Sequence, residues 1–328
     1  MTGARAVVEP FDAEEIFPDV VRLPRRQRGS SPQGLAVTLI ADCTLSGHAW
    51  LPTAAIVALL GEFGVTAAAA RAAISGLTKR GVLEGHKAGR RSSHRLTGAA
   101  AVNLSLGGTS IAAFGTERDR WDGLWTVVVF TVPKEEKAER SVLRTELRWR
   151  GFAPLYDGVW VSPHPLTEET HAELVSHGTI TAFRAEHLPH RSWSTRDPIE
   201  AWDLDEIAAA YDTFIRHWEP VLPRVEAGRI TGAAAVRART AVMDTYRRFP
   251  ALDPLLPQGL LPSAWPRSRA RTVFLAAYDG LADPALDHVR AVISRVGEVP
   301  RPELATHTVA EMAAGVYPGI LSPTSARH

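Results

Sequence analysis

Between residues 32 and 97, apolar positions recur at three- and four-residue spacing in short runs, and each run predicts a short amphipathic helix. Pro32 to Thr44 sets Leu35, Leu39 and Ile40 inward, and Thr53 to Phe63 does the same with Ile56, Val57, Leu59 and Leu60. A third run starts after Thr66, whose hydroxyl suits an N-cap. It carries Ala69, Ala70, Ala73, Ile74 and Leu77 on one face and stops at Gly81. Arg71, Ser75, Thr78 and Lys79 fall on another face of the same helix. The pattern then changes to Val82-Leu83-Glu84, a Gly-rich basic turn from Gly85 to Arg91, and a short strand ending His94-Arg95-Leu96-Thr97. Ala49-Trp50-Leu51 predicts a short strand that pairs with this hairpin. Together these describe one small domain over 31–98.

Residues 99–120 carry no strong periodicity and predict a linker, with a loop at Gly107-Gly108. Leu124 to Val132 is a continuous apolar run rich in Val and stopped by Pro133, the pattern of a central strand. Lys134 to Arg150 predicts a helix with Ala138, Val142, Leu143 and Leu147 inward, ended by Gly151. Asp157-Gly158 between two apolar segments predicts a hairpin whose type I′ turn takes positive φ at both residues. Thr167 to His177, capped by Gly178, is a second helix, and Thr179 to Arg184 a last strand. The order βαββαβ over 121–190 describes a ferredoxin-like module. Residues 191–328 read as a helical domain: Asp203 to Trp218, Thr231 to Phe249, Arg269 to Gly280 and Asp283 to Val296, with a Pro-rich irregular connection from Pro250 to Pro266 and a loose tail after Arg301. Residues 1–30, with three prolines, predict a mobile arm. The fold class is therefore α+β.

The chain has 328 residues, long enough for two or three domains, and its 45% hydrophobic and 22% charged content is that of a soluble globular protein. No apolar run approaches a membrane span, because Arg71 already interrupts the Ala-rich stretch. The N-terminus lacks a basic segment followed by an apolar one, so no secretion signal is expected. A single cysteine, Cys43, suits a reducing cytoplasm and predicts a buried small hydrophobe rather than a nucleophile.

Charge sharpens the picture at one place. Lys and Arg number 37 against 36 Asp and Glu, yet between Thr66 and Gly98 seven bases (Arg71, Lys79, Arg80, Lys87, Arg90, Arg91 and Arg95) face only Glu84. Bases on such a hairpin neutralise phosphates and release counterions. On charge alone, a solvated basic hairpin on an ordinary domain is an equal reading.

Other chemistry finds little support. The chain has no G-x-G-x-x-G, P-loop, G-x-S-x-G or H-E-x-x-H. His187 and His190 have no second ligand pair nearby, which favours two surface histidines over a metal site. Glu135 with Glu136, and Glu168 with Glu169, are adjacent on helices and do not face each other, so they read as solvated charges. Trp121, Trp125 and Trp160 could line an aryl pocket, but a place in the core of a small sheet is favoured. Tyr246-Arg247-Arg248 sits at a helix end; two guanidiniums beside an aromatic suit phosphates and a base, while the plainer reading is Arg complementing the helix dipole.

The segments Leu35 to Ile40, Phe63 to Thr66, Arg71 to Ser75 and Gly89 to Thr97 resemble the N-terminal winged helix-turn-helix of the PaaX family, the phenylacetic acid degradation repressors and their relatives. The resemblance continues through Trp121 to Trp125, Gly151 to Leu155, Gly158 to Pro163, Trp202, Tyr211, Phe214, Tyr246 to Pro250, Asp253-Pro254, Leu260 to Pro262 and Trp265-Pro266. It implies a dimeric transcriptional regulator, usually a repressor, that releases operator DNA on binding an aryl-CoA thioester, phenylacetyl-CoA in the type case. It also implies a middle domain like the small ferredoxin-like endonucleases of CRISPR adaptation.

On that basis the expected DNA contacts are Thr66, Arg71, Ser75, Thr78, Lys79, Lys87, Arg90 and Arg91. The expected effector contacts are Tyr246, Arg247, Arg248 and Trp265. The partners are double-stranded DNA, an acyl-CoA and a second copy of the chain, with no cofactor, metal or membrane. The chain departs from the family at Ala67, Ala68 and Gly76, where charged residues are usual, so fewer side chains reach base edges. Its first middle strand ends Val129-Phe130-Thr131-Val132-Pro133 without the carboxylate that a nuclease metal needs. A nucleic-acid-processing enzyme and an effector-independent DNA-binding protein remain the alternatives.

Overall fold

The computed structural model describes residues 31–116, 121–131, 137–175, 179–188, 196–296 and 303–317. The expectations for the arm over 1–30, for Glu135, Glu136 and His190, for the cap at Gly178 and for the side chain of Ala138 lie outside the described residues. The chain forms two compact units that are not contiguous in sequence. One holds residues 115–213 and 249–268; among the described residues the other holds 31–114, 214–248 and 269–317.

The N-terminal elements are α1 (Pro32–Thr44), β1 (Leu51–Pro52), α2 (Thr53–Gly61), α3 (Ala67–Lys79), β2 (Leu83–Ala88) and β3 (Arg91–Leu96). Local chemistry sets their ends. The Ser31 hydroxyl accepts the Gly34 N–H at 3.1 Å and starts α1. The Thr66 hydroxyl accepts the Ala69 N–H at 3.2 Å and starts α3. Gly81, at φ 71°, closes α3 in the left-handed conformation that suits a residue without Cβ. The strands form an antiparallel sheet in the order β1-β3-β2. Cys43 is 2% exposed; burial, and then the neighbouring Asp42 charge, push its thiol pKa up, so it packs as an inert hydrophobe.

A further helix, α4 (Gly98–Ala113), occupies the stretch expected to be a linker with a loop at Gly107-Gly108. Thr97 caps it through the Ala100 N–H.

The middle unit runs β4 (Leu124–Thr131), α5 (Lys137–Trp149), β5 (Ala153–Tyr156), β6 (Val159–Ser162), α6 (Glu168–Val175) and β7 (Thr179–Glu186). The sheet order is β5-β6-β4-β7, and every neighbouring pair is antiparallel. Val128, Phe130 and Trp160 of the sheet pack with Leu143 and Leu147 of α5, Phe152 and Leu174. Val142, expected inward, is 43% exposed: it sits one residue, about 100° round the helix, from the buried Leu143–Leu147 line. The hairpin at Asp157-Gly158 forms, but only Gly158 takes positive φ, at 76°. The expected type I′ turn is therefore absent. β5 carries an irregularity between Pro154 and Tyr156, and Asp157 accepts a hydrogen bond from Arg144 at 2.8 Å. Trp125 and Trp160 are core residues, and Trp121 meets Trp125 edge-on at 5.4 Å.

Among the described residues seven α-helices follow: α7 (Leu204–Trp218), α8 (Leu222–Glu226), α9 (Gly232–Tyr246), α10 (Phe249–Leu252), α11 (Arg267–Gly280), α12 (Ala282–Val296) and α13 (Val309–Ala314). Within the Pro-rich connection, Asp253 accepts hydrogen bonds from the Tyr211 hydroxyl at 2.7 Å and from two nitrogens of Arg267 at 2.7 and 2.8 Å.

Residues 31–98 share one core with later helices. Leu35, Ile40, Ile56, Leu60 and Leu77 lie in the same apolar cluster as Val236, Leu286, Val289, Ile293 and Leu304. A buried polar cluster crosses it. Arg239 is wholly buried. It donates to Asp42 at 2.8 to 3.1 Å, to the His307 carbonyl at 2.7 Å and to the Tyr278 carbonyl. Its guanidinium lies 3.7 Å from the Tyr278 ring centre, and the Tyr278 hydroxyl donates to Asp42 at 2.7 Å.

The tail after Arg301, expected to be loose, is ordered from residue 303 to 317. Leu304, Val309 and Met312 are buried, and a reciprocal cap between Thr308 and Glu311 starts α13. This tail also explains α4. A Cβ on Gly108 would already lie 3.5 Å from Met312, and the Thr109 hydroxyl donates to the Met312 carbonyl at 3.0 Å. The Ser105 hydroxyl accepts the Val316 and Tyr317 N–H groups. The two glycines thus sit within a helix where a second helix packs close, not in a loop. Among the described residues no helix is long and apolar enough to cross a membrane.

His307 generates a pH prediction. Burial lowers its pKa below 6.5; the Asp42 charge opposes this and the Arg239 charge adds to it. The unfolded chain therefore takes up this proton first, and stability falls as pH drops below 6.5. His94, also lowered by burial, contributes with the same sign. The melting temperature of the protein is expected to fall between about pH 7.5 and about pH 5.5, and by less in His307→Gln. Thermal melts across that range check it; equal pH dependence in the two proteins would refute it.

Candidate nucleic-acid interface

The sequence of α3 divides cleanly into two faces. Ala70, Ala73, Ile74 and Leu77 are buried, while Thr66, Arg71, Ser75, Thr78 and Lys79 are exposed. Two of the exposed groups have internal duties. Thr66 uses its hydroxyl as the cap, and the Thr78 hydroxyl donates to the Ile74 carbonyl at 2.9 Å. Arg71, Ser75 and Lys79 remain as a row at four-residue spacing, about 12 Å long. Exposed Ala67, Ala68 and Ala72 flank it and add only methyl groups.

The hairpin brings a second group of bases together. β2 and β3 pair in register from Leu83 with Leu96 to Ala88 with Arg91, so Gly89 and Arg90 make the turn. Gly89 takes φ 62°, which frees the tight reversal from Cβ strain. Lys87, Arg90 and Arg91 are exposed at this tip. Among the described residues, Arg71, Lys79, Lys87 and Arg90 have no carboxylate partner.

The other two bases of the segment are committed inside the domain. Arg95 pairs with Glu84 at 2.6 Å and lies 4.5 Å over the Trp50 ring. Arg80 donates to the Gln33 side chain. β3 of the hairpin is also fixed to α2. The Ser92 hydroxyl donates to Thr53 at 2.8 Å, and Thr53 in turn donates to the Ser92 carbonyl at 2.9 Å and lies 3.0 Å from His94 Nδ1. These pairings between distant residues give no signal in local spacing. The arrangement presents a row of donors on a helix, followed in the chain by a hairpin with a cationic tip. Its chemistry is that of binding a polyanion, with a few groups free to reach base edges.

The residues expected to hold an effector are not brought together in this way. Tyr246 has no exposed surface. Its ring stacks on Phe274 at 3.9 Å, and Phe114 and Phe214 flank it, so it is a core residue with no free face for a ligand base. Arg247 donates to Asp244 at 2.5 Å. Arg248 donates to the Asp244 carboxylate and to its carbonyl, each at 3.2 Å. The Arg247 and Arg248 side chains are 31% and 47% exposed. Trp265 belongs to the other compact unit, where it is buried with its ring edge towards Tyr211.

Among the described residues no group of three His, Cys, Asp or Glu could hold a metal ion. β4 carries no carboxylate along its length. Asp122, just before it, accepts the Leu124 N–H and two contacts from Arg184 Nη2 at 2.7 and 2.6 Å. The Leu124 N–H first, and Arg184 second, hold its pKa below the usual carboxylate range. Glu168 is exposed on α6, as expected of a solvated charge.

Comparison with known proteins follows the same three segments. Family models described as PaaX-like protein, PaaX protein central Cas2-like domain and PaaX-like protein C-terminal domain match residues 31–100, 118–196 and 202–291. The transcriptional repressor PaaX of Escherichia coli (strain K12) is 30% identical over 268 residues, which is 78% of this chain and 82% of that protein. Among solved structures, the uncharacterized protein Rv0674 from Mycobacterium tuberculosis aligns with a TM-score of 0.50 at 20% identity, over 81% of this chain and 97% of that one, a likeness of fold alone.

Proposed function

The chain belongs to the PaaX-like protein family, and we propose that it is a transcriptional repressor released from its operator by an acyl-CoA thioester. It is a DNA-binding regulator and not an enzyme. In this reading α1, α2, α3 and the β1-β3-β2 sheet are a winged helix-turn-helix, with α3 the reading helix and the β2–β3 hairpin the wing. The antiparallel β5-β6-β4-β7 sheet with its two helices is a ferredoxin-like module, and the later helices form the C-terminal domain. One observation carries the reading: α3 exposes the row Arg71, Ser75 and Lys79, and the hairpin that follows it exposes Lys87, Arg90 and Arg91 at its tip. The row suits base edges in a major groove, and the tip suits phosphates.

The direct test is a DNA-binding titration against the promoter of the protein's own operon and against random duplex, over a range of salt. Arg91→Ala is expected to weaken both complexes alike and to lower the salt slope by about one. Arg71→Ala is expected to weaken the specific complex more than the random one. Unchanged affinity and slope in Arg91→Ala would remove the wing from the interface.

A reading helix that covers one half-site gains specificity from a two-fold partner. The protein is therefore expected to be a homodimer, assembled through its middle and C-terminal domains. Light scattering at micromolar concentration, with and without operator-length DNA, measures this, and a monomer mass in both would reject it.

The effector reading rests on Arg247 and Arg248, whose partly exposed guanidiniums suit the phosphates of CoA. Binding must favour the DNA-incompetent state, since equal affinity for both states releases nothing. Replacing both arginines with Ala is expected to leave DNA affinity intact and to make the complex insensitive to phenylacetyl-CoA. Calorimetry of the double variant, with its melting temperature as a control for the loss of the Asp244 pairs, checks this. Wild-type ligand affinity there would confine the two arginines to a structural role.

A further inference from the structure

Gly76 lies one residue on from Ser75, about 100° round α3 from the Arg71-Ser75-Lys79 row. It therefore stands on the flank of the exposed face. What occupies this flank is the side chain of Gln33, the second residue of α1. A Cβ on Gly76 would sit 2.5 Å from Gln33 Nε2, so the amide lies where any other residue would carry its side chain. Arg80, one turn further along α3, donates to Gln33 Oε1. A guanidinium has no acceptor, so the atom that faces it is the carbonyl oxygen, and this fixes the amide's orientation. The N–H₂ end is then held over the missing side chain of Gly76. Gln33 is half-buried, and among the described residues no acceptor partners its Nε2.

We infer that Gln33 is a DNA contact: its amide donates to a phosphodiester oxygen of the backbone that walls the groove occupied by α3, with Gly76 making room and Arg80 setting the orientation. The inference rests on the regulator reading above. A phosphate, not a base, is the partner because the amide stands on the flank, away from the row that points along the groove. Uncharged side-chain amides are among the ordinary donors to DNA phosphates, and they fix register without reading sequence. A charged acceptor also strengthens the bond relative to one between neutral groups.

Two substitutions separate this role from a structural one. Gln33→Ala removes the donor. It is expected to weaken binding to operator and random duplex alike, by about ten-fold. The salt slope should not change, because a neutral amide displaces no counterion, in contrast to Arg91→Ala. Gly76→Ala pushes the amide aside through the tip of a flexible chain, while Ala is the better helix former. Its melting temperature should hold or rise while DNA affinity falls, a combination that mere loss of packing does not give. The double variant should bind like Gln33→Ala alone, since both act on one contact.

Wild-type affinity in both single variants would overturn the inference. So would a loss confined to the operator, which would make Gln33 a base reader, or a loss accompanied by a shallower salt slope. Wild-type binding to random duplex is the control. Failure of the wild type to bind would overturn the regulator reading itself, whereas wild-type binding with unaltered variants overturns only the role of Gln33.

Discussion

The unit that carries α3 depends on the burial of one charge pair. Arg239 has no exposed surface, and its guanidinium is spent on Asp42, on two backbone carbonyls and on the face of Tyr278. Burial alone would raise the Asp42 pKa. The charge and hydrogen bonds of Arg239, helped by His307 and Tyr278, hold it below the usual carboxylate range instead. A buried pair of this kind adds little net stability over apolar packing, but removing one partner costs about 3–5 kcal/mol. Its effect is on geometry: any arrangement that separates α1 from α9 leaves a charge buried without compensation.

That constraint governs what the reading face can do. α3 packs on α1 and α2, Asp42 ties α1 to α9 and α11, and its partner Arg239 extends the tie to the His307 carbonyl. Glu62, just past the end of α2, pairs with His288 of α12 at 2.7 Å, a second polar tie between the same layers. α3 is thus built into a larger body and does not hang from a linker. A ligand that alters DNA binding has to move this body as a whole or break one of its ties, because the apolar core between them has no slack to absorb a small displacement.

The parts of the fold that were legible in sequence are those made by neighbours. Thr66, the Ala70-Ala73-Ile74-Leu77 face and Gly81 define α3 almost to the residue, and the basic hairpin follows from its glycines and strand residues. Exposure of the expected DNA contacts followed from the same periodicity. What stayed hidden depends on residues far away in sequence. Gly107-Gly108 reads as a loop until Met312 is packed against it. Arg80 and Arg95 count towards the basic excess of the segment, and nothing local shows that Gln33, Glu84 and Trp50 claim them. Tyr246 reads as a ligand platform until Phe274 stacks on it. Asp42 itself has the look of a surface charge on a short helix, and no local pattern marks it as the partner of a buried arginine.

The order in which these partners leave the ribosome matters for how the protein forms. Asp42 emerges early, but Arg239 lies 197 residues further on and Tyr278 lies 236 residues further on. Until both have been made, the apolar sides of α1 and α2 that pack on α9 and α12 are uncovered, and Asp42 has no counter-charge. The segment over 31–98 therefore reaches its final state only after these later helices have been made. A nascent or truncated chain ending before α9 would expose a sticky face in place of a small independent DNA-binding module.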